Sequence, residues 1–140
     1  LRVVVAVAGL WRPRGRSCEV LLTRRPAGVH LAGSWELPGG KVEPPETVEQ
    51  ALRRELAEEI GLSPPNLEPL AVTEHAYADR TVQLHAMTAR VGDDVTVRNL
   101  RVAEHRWVPL QALSAYAWPP ANAPITAALM QRLGGPDPGA

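Results

Sequence analysis

Apolar positions change their period along the chain, and those changes mark its elements. Val3–Ala8 is an apolar run of strand length, followed by Trp11–Ser17, a turn-rich stretch with Pro13 and Gly15. Cys18–Thr23 reads as a second apolar strand that ends in Arg24-Arg25. Pro26–Ser34 carries two glycines and reads as a loop before the short segment Trp35-Glu36-Leu37. Pro38-Gly39-Gly40 is then expected to break regular structure. At Thr47 the period becomes helical: Val48, Leu52, Leu56 and Ile60 recur every fourth residue and form the buried stripe of a helix over Thr47–Ile60. Thr47 with Gln50 makes a capping box, and Gly61 supplies a stop. Pro64-Pro65 enforces a loop.

Further on, Leu67–Thr73, Thr81–Arg90 and Arg101–Val108 are predicted strands, with Gly92-Asp93-Asp94 as a turn between the last two. Pro109–Leu113 suits a short helical turn, and Pro124 opens a last helix running through Leu133. Residues 1–133 are expected to form a single domain, and the Gly/Pro-rich 134–140 a frayed, flexible tail. Strands and two helices mixed without strict alternation predict a sheet packed between helices, in an α+β or mixed α/β domain.

Composition narrows this picture a little. At 140 residues and 45% apolar content the chain can bury one substantial core, but without Phe that core must use Leu, Val, Ala and four Trp. Fifteen basic residues balance fifteen acidic ones, so no bulk field draws duplex nucleic acid or an anionic membrane. Leu1–Ala8 is too short to span a bilayer and lacks the charged start and cleavage site of a signal peptide. The lone Cys18 cannot form an internal disulfide, and no Cys/His spacing suggests zinc. A reducing cytoplasm is the expected compartment; the oligomeric state is not legible.

The charges are clustered, and the clusters carry chemistry. On a helix, residues three and four apart are neighbours, so Glu55, Glu58 and Glu59 form one acidic patch beside the apolar stripe. Such crowding repels unless a cation is present, and Mg²⁺ suits carboxylate oxygens while leaving room for phosphates. The competing reading is a solvated face with Arg54 paired to Glu58. Just before the helix, Gly39-Gly40-Lys41 offers close backbone approach and a cation, the complement that phosphate handling needs.

Gly40, then Glu46 after five residues, then Arg54-Glu55-Leu56-Ala57-Glu58-Glu59-Ile60-Gly61-Leu62 after seven more, resembles the Nudix box, GX₅EX₇REUXEEXGU with U aliphatic, at every specified position. The resemblance implies the Nudix fold, an α/β/α sandwich around a mixed β-sheet. It also implies a metal site of Glu55, Glu58 and Glu59 with the Gly39 carbonyl, holding Mg²⁺ with Mn²⁺ as an alternative. Arg54 would orient Glu55, and Glu46 would support the loop or a water on the metal. That water would attack a bridging phosphate in line; which carboxylate serves as base varies in the family.

Outside the box, Thr23-Arg24-Arg25, His30, Trp35 to Lys41, Asp79-Arg80 and Pro119-Pro120-Ala121-Asn122 resemble the MutT-type branch. That branch converts 8-oxo-dGTP to 8-oxo-dGMP and pyrophosphate, in nucleotide-pool sanitisation. The resemblance implies a small-molecule nucleotide as partner, bound by Arg25, His30, Leu37, Lys41, Arg80 and Asn122. Arg25 would sit near the base edge. An Asn at 122 can donate to O6 and accept from the N7–H that only the oxidised purine carries. The plainer alternatives are a turn residue at Asn122, a solvated strand end at Arg24-Arg25, and loop roles for His30 and His75. Trp35 and Trp107 read as core, and Tyr77 as pocket or core.

Two positions depart from the branch. Leu37 stands where an aromatic often touches the base. Arg101 stands where many relatives carry a Glu that binds metal or acts as base, with Glu104 three residues on; either Glu104 substitutes or the box carboxylates work alone. The leading expectation is thus a nucleoside triphosphate pyrophosphohydrolase. Its alternatives are a (d)CTP or modified-pyrimidine pyrophosphohydrolase and a non-catalytic Nudix-like nucleotide-binding module.

Overall fold

The computed structural model describes residues 1–134. Its strands are β1 (Arg2–Arg14), β2 (Ser17–Arg24), β3 (Trp35–Glu36), β4 (Gly39–Lys41), β5 (Glu68–Ala76), β6 (Thr81–Arg90) and β7 (Glu104–Pro109). The helices are α1 (Val48–Ile60) and α2 (Ala123–Gly134), with a 3₁₀ segment at Leu110–Ala115. Gly134, expected in the tail, closes α2; the rest of that tail lies outside the described residues. No helix among the described residues is long and apolar enough to cross a membrane.

All seven strands join one sheet, in the order β3-β2-β1-β6-β5, with β4 paired to β1 and β7 to β2. β1 and β6 run parallel and the other pairs antiparallel, so the sheet is mixed. Alternation along the strands sends one set of side chains to each face. Ala6, Ala8, Leu10 and Leu21 meet Leu52, Leu56 and Ile60 of α1. Val7, Val20, Leu22 and Leu84 meet Leu113 and, from α2, Ile125 and Leu129. The result is an α/β fold, a mixed sheet between helical layers.

The capping signals of α1 are realised. Thr47 accepts from the Gln50 amide, Gln50 accepts in return, and Gly61 takes the left-handed conformation at φ 69°. Val48 packs at the edge of the core, while Ala51 joins the fully buried residues.

Three expectations need correction. β1 does not end at Ala8: it continues through the predicted loop to Arg14 and turns at Gly15 into β2. Pro13 lies past Trp11, the last residue registered to β6, so one edge is free where the N–H is missing. Pro38-Gly39-Gly40 does not simply break structure, because Gly39–Lys41 pairs with Val5–Val7 as β4. Finally, β7 begins at Glu104, and Arg101 sits in the preceding bend. There Leu100 and Arg101 donate their N–H groups to the Glu59 carbonyl rather than to a strand.

Candidate active site

β4 and the second half of α1 are pressed together, and glycine permits it. Gly39 has φ 153°, and a Cβ there would collide with the Ala6 carbonyl. At Gly40 a Cβ would strike the Glu55 carboxylate, so Glu55 can lie on the strand only because that position has no side chain. The Gly39 N–H donates to Glu59 Oε1 at 3.2 Å.

Arg54 is the hub that joins the loop to the helix. Its Nε and Nη2 donate to both oxygens of Glu46, at 2.7 and 2.9 Å. Nη1 donates to Glu55 at 2.8 Å and lies 3.5 Å from Glu58, while Nη2 also reaches the Lys41 carbonyl at 3.2 Å. Glu46 accepts in addition from the Glu43 N–H at 3.0 Å. The Arg54 guanidinium, then the Glu43 amide, hold the Glu46 carboxyl below its ordinary range. Glu46, Arg54, Glu55, Glu58, Glu59 and Gly39 are therefore brought together. The Arg54–Glu58 pairing of the plainer reading is present as one limb of this network.

Glu59 stands apart electrically. Burial, then the charges of Glu55 and Glu36, push its carboxyl up to about 8, against the opposing pull of the Gly39 N–H and Arg25. Burial likewise raises Glu36, opposed by Arg25. Glu36 escaped sequence reasoning because it lies outside the box, on β3. Its signal was a charged residue inside the short apolar segment Trp35–Leu37.

Among the described residues, no three acidic, His or Cys side chains are already gathered as a metal cage. Arg54 holds Glu55, and Arg101 reaches Glu58 at 3.3 Å. The donor set nonetheless fits a hard divalent cation: crowded carboxylates and the glycine cradle of β4, with no soft ligand. Glu104 is engaged elsewhere, bonded to Arg24 at 2.8 Å.

The expected substrate residues are more scattered. Arg25 donates from Nε to Glu36 at 2.9 Å and from Nη1 to the His30 carbonyl at 3.0 Å. His30 itself is exposed in the loop. Leu37 is only 2% exposed and belongs to the core on the α2 side, so its side chain is not presented to solvent. Lys41 ends β4, exposed and opposite Val5. Arg80 lies in the β5–β6 turn, where its carbonyl accepts from the Tyr77 N–H at 2.7 Å.

Asn122 precedes α2. Its carbonyl accepts from Ile125 and Thr126, which is the turn role, yet its side-chain amide has no hydrogen-bond partner among the described residues. The turn is anchored to β5: Thr73 donates to the Ala121 carbonyl at 2.7 Å, and the Ala121 N–H donates to the Tyr77 hydroxyl at 3.4 Å. Asn122 and Arg80 thus share one end of the sheet, with Tyr77 as support between them.

Comparison with known proteins places this geometry. The NUDIX domain family matches residues 1–129. An 8-oxo-dGTP diphosphatase of Escherichia coli (strain K12) is 37% identical over 117 residues, which is 83% of this chain and 89% of the relative. A CTP pyrophosphohydrolase of the same organism is also 37% identical, over 118 residues, 82% of this chain and 84% of the relative. A solved MutT, from work on Aliivibrio salmonicida and Vibrio cholerae, superposes with a TM-score of 0.74 at 26% identity, covering 94% of this chain and 99% of its own.

Proposed function

The chain belongs to the NUDIX domain family of hydrolases, and from that premise we propose that it cleaves a nucleoside triphosphate to the monophosphate and pyrophosphate, with 8-oxo-dGTP as substrate. The observation that carries the hydrolytic part is the Arg54 hub, which binds the loop carboxylate Glu46 and the helix carboxylate Glu55 into one unit over Gly40.

Glu55, Glu58 and Glu59, with the Gly39 carbonyl, would hold the divalent metal, usually Mg²⁺ in this family. When bound, the metal offsets phosphate charge and makes water a better nucleophile. Arg54 fixes the Glu55 carboxylate, and Glu46 fixes Arg54. Lys41 and Arg80 would neutralise phosphate oxygens of the bound nucleotide.

For the base, support comes from Asn122. A half-buried amide without a partner among the described residues is ready to pair with a ligand edge, and one donor plus one acceptor matches O6 and N7–H of 8-oxoguanine. A second reading is a (d)CTP-type substrate, favoured by the equal identity to the CTP pyrophosphohydrolase. A panel of 8-oxo-dGTP, dGTP, CTP and dCTP with Mg²⁺, scored for pyrophosphate release, separates the two. The expected result is fastest release from 8-oxo-dGTP; turnover confined to cytidine nucleotides would replace it with the second reading. Release from none would leave a nucleotide-binding module.

A further inference from the structure

We propose that Thr73 is a positioning residue for base recognition: its hydroxyl fixes the Ala121–Asn122 peptide, and through it the amide of Asn122. The inference rests on the reading of Asn122 given above and extends it to β5.

Thr73 lies opposite Leu84 in the β5–β6 register, and Leu84 faces the core on the α2 side. Cross-strand partners share a face, so Thr73 is turned toward the chain that enters α2. There its Oγ1 donates to the Ala121 carbonyl at 2.7 Å, joining residues 48 apart in sequence. Ala121 is only 3% exposed, so water has little access to replace that hydroxyl. The N–H of the same peptide, that of Asn122, donates to the Pro119 carbonyl at 2.9 Å. Both ends of the peptide plane are thus held. One residue earlier, the Ala121 N–H donates to the Tyr77 hydroxyl at 3.4 Å, and His75 meets the Tyr77 ring edge-on with centroids 4.6 Å apart. Of the contacts from Thr73 and Tyr77, the first is the shorter and the stronger.

The start of α2 leaves the Asn122 amide uncommitted. Asn122 precedes Ala123, the first residue of the helix, where an Asn side chain ordinarily accepts from the second or third N–H. Here the second residue is Pro124, which has no N–H. The third, Ile125, donates instead to the Asn122 main-chain carbonyl at 2.9 Å, and Thr126 donates to the same oxygen at 3.0 Å. A side chain that its own helix does not hold takes its place from the backbone that carries it. Hydrogen bonds to a base edge weaken steeply as that place shifts, so the hold on the backbone sets the accuracy of reading.

The rival explanation is that Thr73 only fastens the turn to the sheet. A fastener costs stability and weakens every nucleotide alike. A positioning residue alters the choice between bases, and does so through Asn122.

The dissociation constants of 8-oxo-dGMP and dGMP, measured by calorimetry, read the difference. Thr73→Val keeps the branched shape and removes the hydroxyl; it is expected to cut the preference for 8-oxo-dGMP about fivefold, the size of one neutral hydrogen bond. Thr73→Ser should restore the parent ratio. In an Asn122→Ala background Thr73→Val should lower the ratio no further, because the two residues act in series. A parent ratio in Thr73→Val, no recovery in Thr73→Ser, or a full additional loss in the double variant overturns the proposal. Thermal melts establish that each variant folds; should Thr73→Val not fold, Thr73→Ala takes its place under the same criteria. Asn122→Ala alone tests the underlying reading. If it keeps the parent ratio, or if the parent shows no preference, base reading by Asn122 fails and this proposal with it. Loss in Asn122→Ala with none in Thr73→Val removes only Thr73.

Discussion

The two halves of the site are built on different plans. On the α1 side, Arg54 ties Glu46 to Glu55 and the Gly39 N–H holds Glu59, through hydrogen bonds of 2.7 to 3.2 Å, and all five residues come from one contiguous stretch of chain. On the α2 side, Lys41, Arg80 and Asn122 come from three separate elements, and Asn122 offers an amide with no partner among the described residues. Groups that act on phosphate must be preorganised, so their partners are protein. Groups that read a ligand must keep their partners free until the ligand arrives. In the proposed reading the interlocked residues of the α1 side would serve the chemistry, and the uncommitted Asn122 amide the recognition of the base.

That contrast can be broken most decisively at Glu55. Glu55→Gln should lower turnover by about 10³-fold while nucleotide binding, measured by calorimetry, is largely kept; unchanged turnover would reject the assignment of the metal site. Asn122→Ala should instead leave the hydrolytic unit intact and cut the preference for 8-oxo-dGMP over dGMP by about tenfold. An unaltered ratio of the two binding constants would show that the base is read elsewhere.

A gentler probe is pH. Glu59 ionises at about 8 in the folded chain against an ordinary value of 4.5, so the unfolded chain loses this proton first as pH rises. The group's contribution to stability is full below about pH 4.5 and is lost as pH climbs to about 8. Glu36, raised by burial, acts in the same direction; Glu46, lowered by Arg54, acts with opposite sign but in more acidic solution. In EDTA the melting temperature should thus fall between about pH 5 and pH 8, and Mg²⁺ should restore more of it at the upper end. A flat profile would mean that burial and the neighbouring carboxylates do not raise Glu59. The smallest effect is expected at Arg101, whose exposed guanidinium touches Glu58 at 3.3 Å. Arg101→Ala should tighten Mg²⁺ by about twofold, in keeping with the weakness of exposed ion pairs; weaker binding would instead make Arg101 a support of the site.

What the sequence revealed follows the same divide. α1 was legible to its caps because its determinants, Thr47, Gln50, Gly61 and the apolar stripe, are all local. The limits of β6 were legible for the same reason, an uninterrupted run between turns. β4 was not, since Gly39-Gly40 becomes a strand only through pairing with Ala6 and Val7, far away in the chain. The full length of β1 was hidden by Pro13, whose tolerance depends on where β6 stops. The resemblance marked Leu37 as a base contact, but not that it packs with Ala121 in the core on the α2 side, since that packing joins segments far apart in the chain.

β1 also bears on the order in which the molecule can assemble. It is paired along ten residues with β6, and Gly9 meets Thr88 across 79 residues of sequence. The β1–β2 hairpin and α1 can form as soon as they leave the ribosome, but the sheet that supports them cannot close until Arg90 has been made. Non-local parallel pairing of this kind slows folding. The acidic face of α1 is thus synthesised before β6, whose Met87 and Ala89 complete the core on which α1 rests.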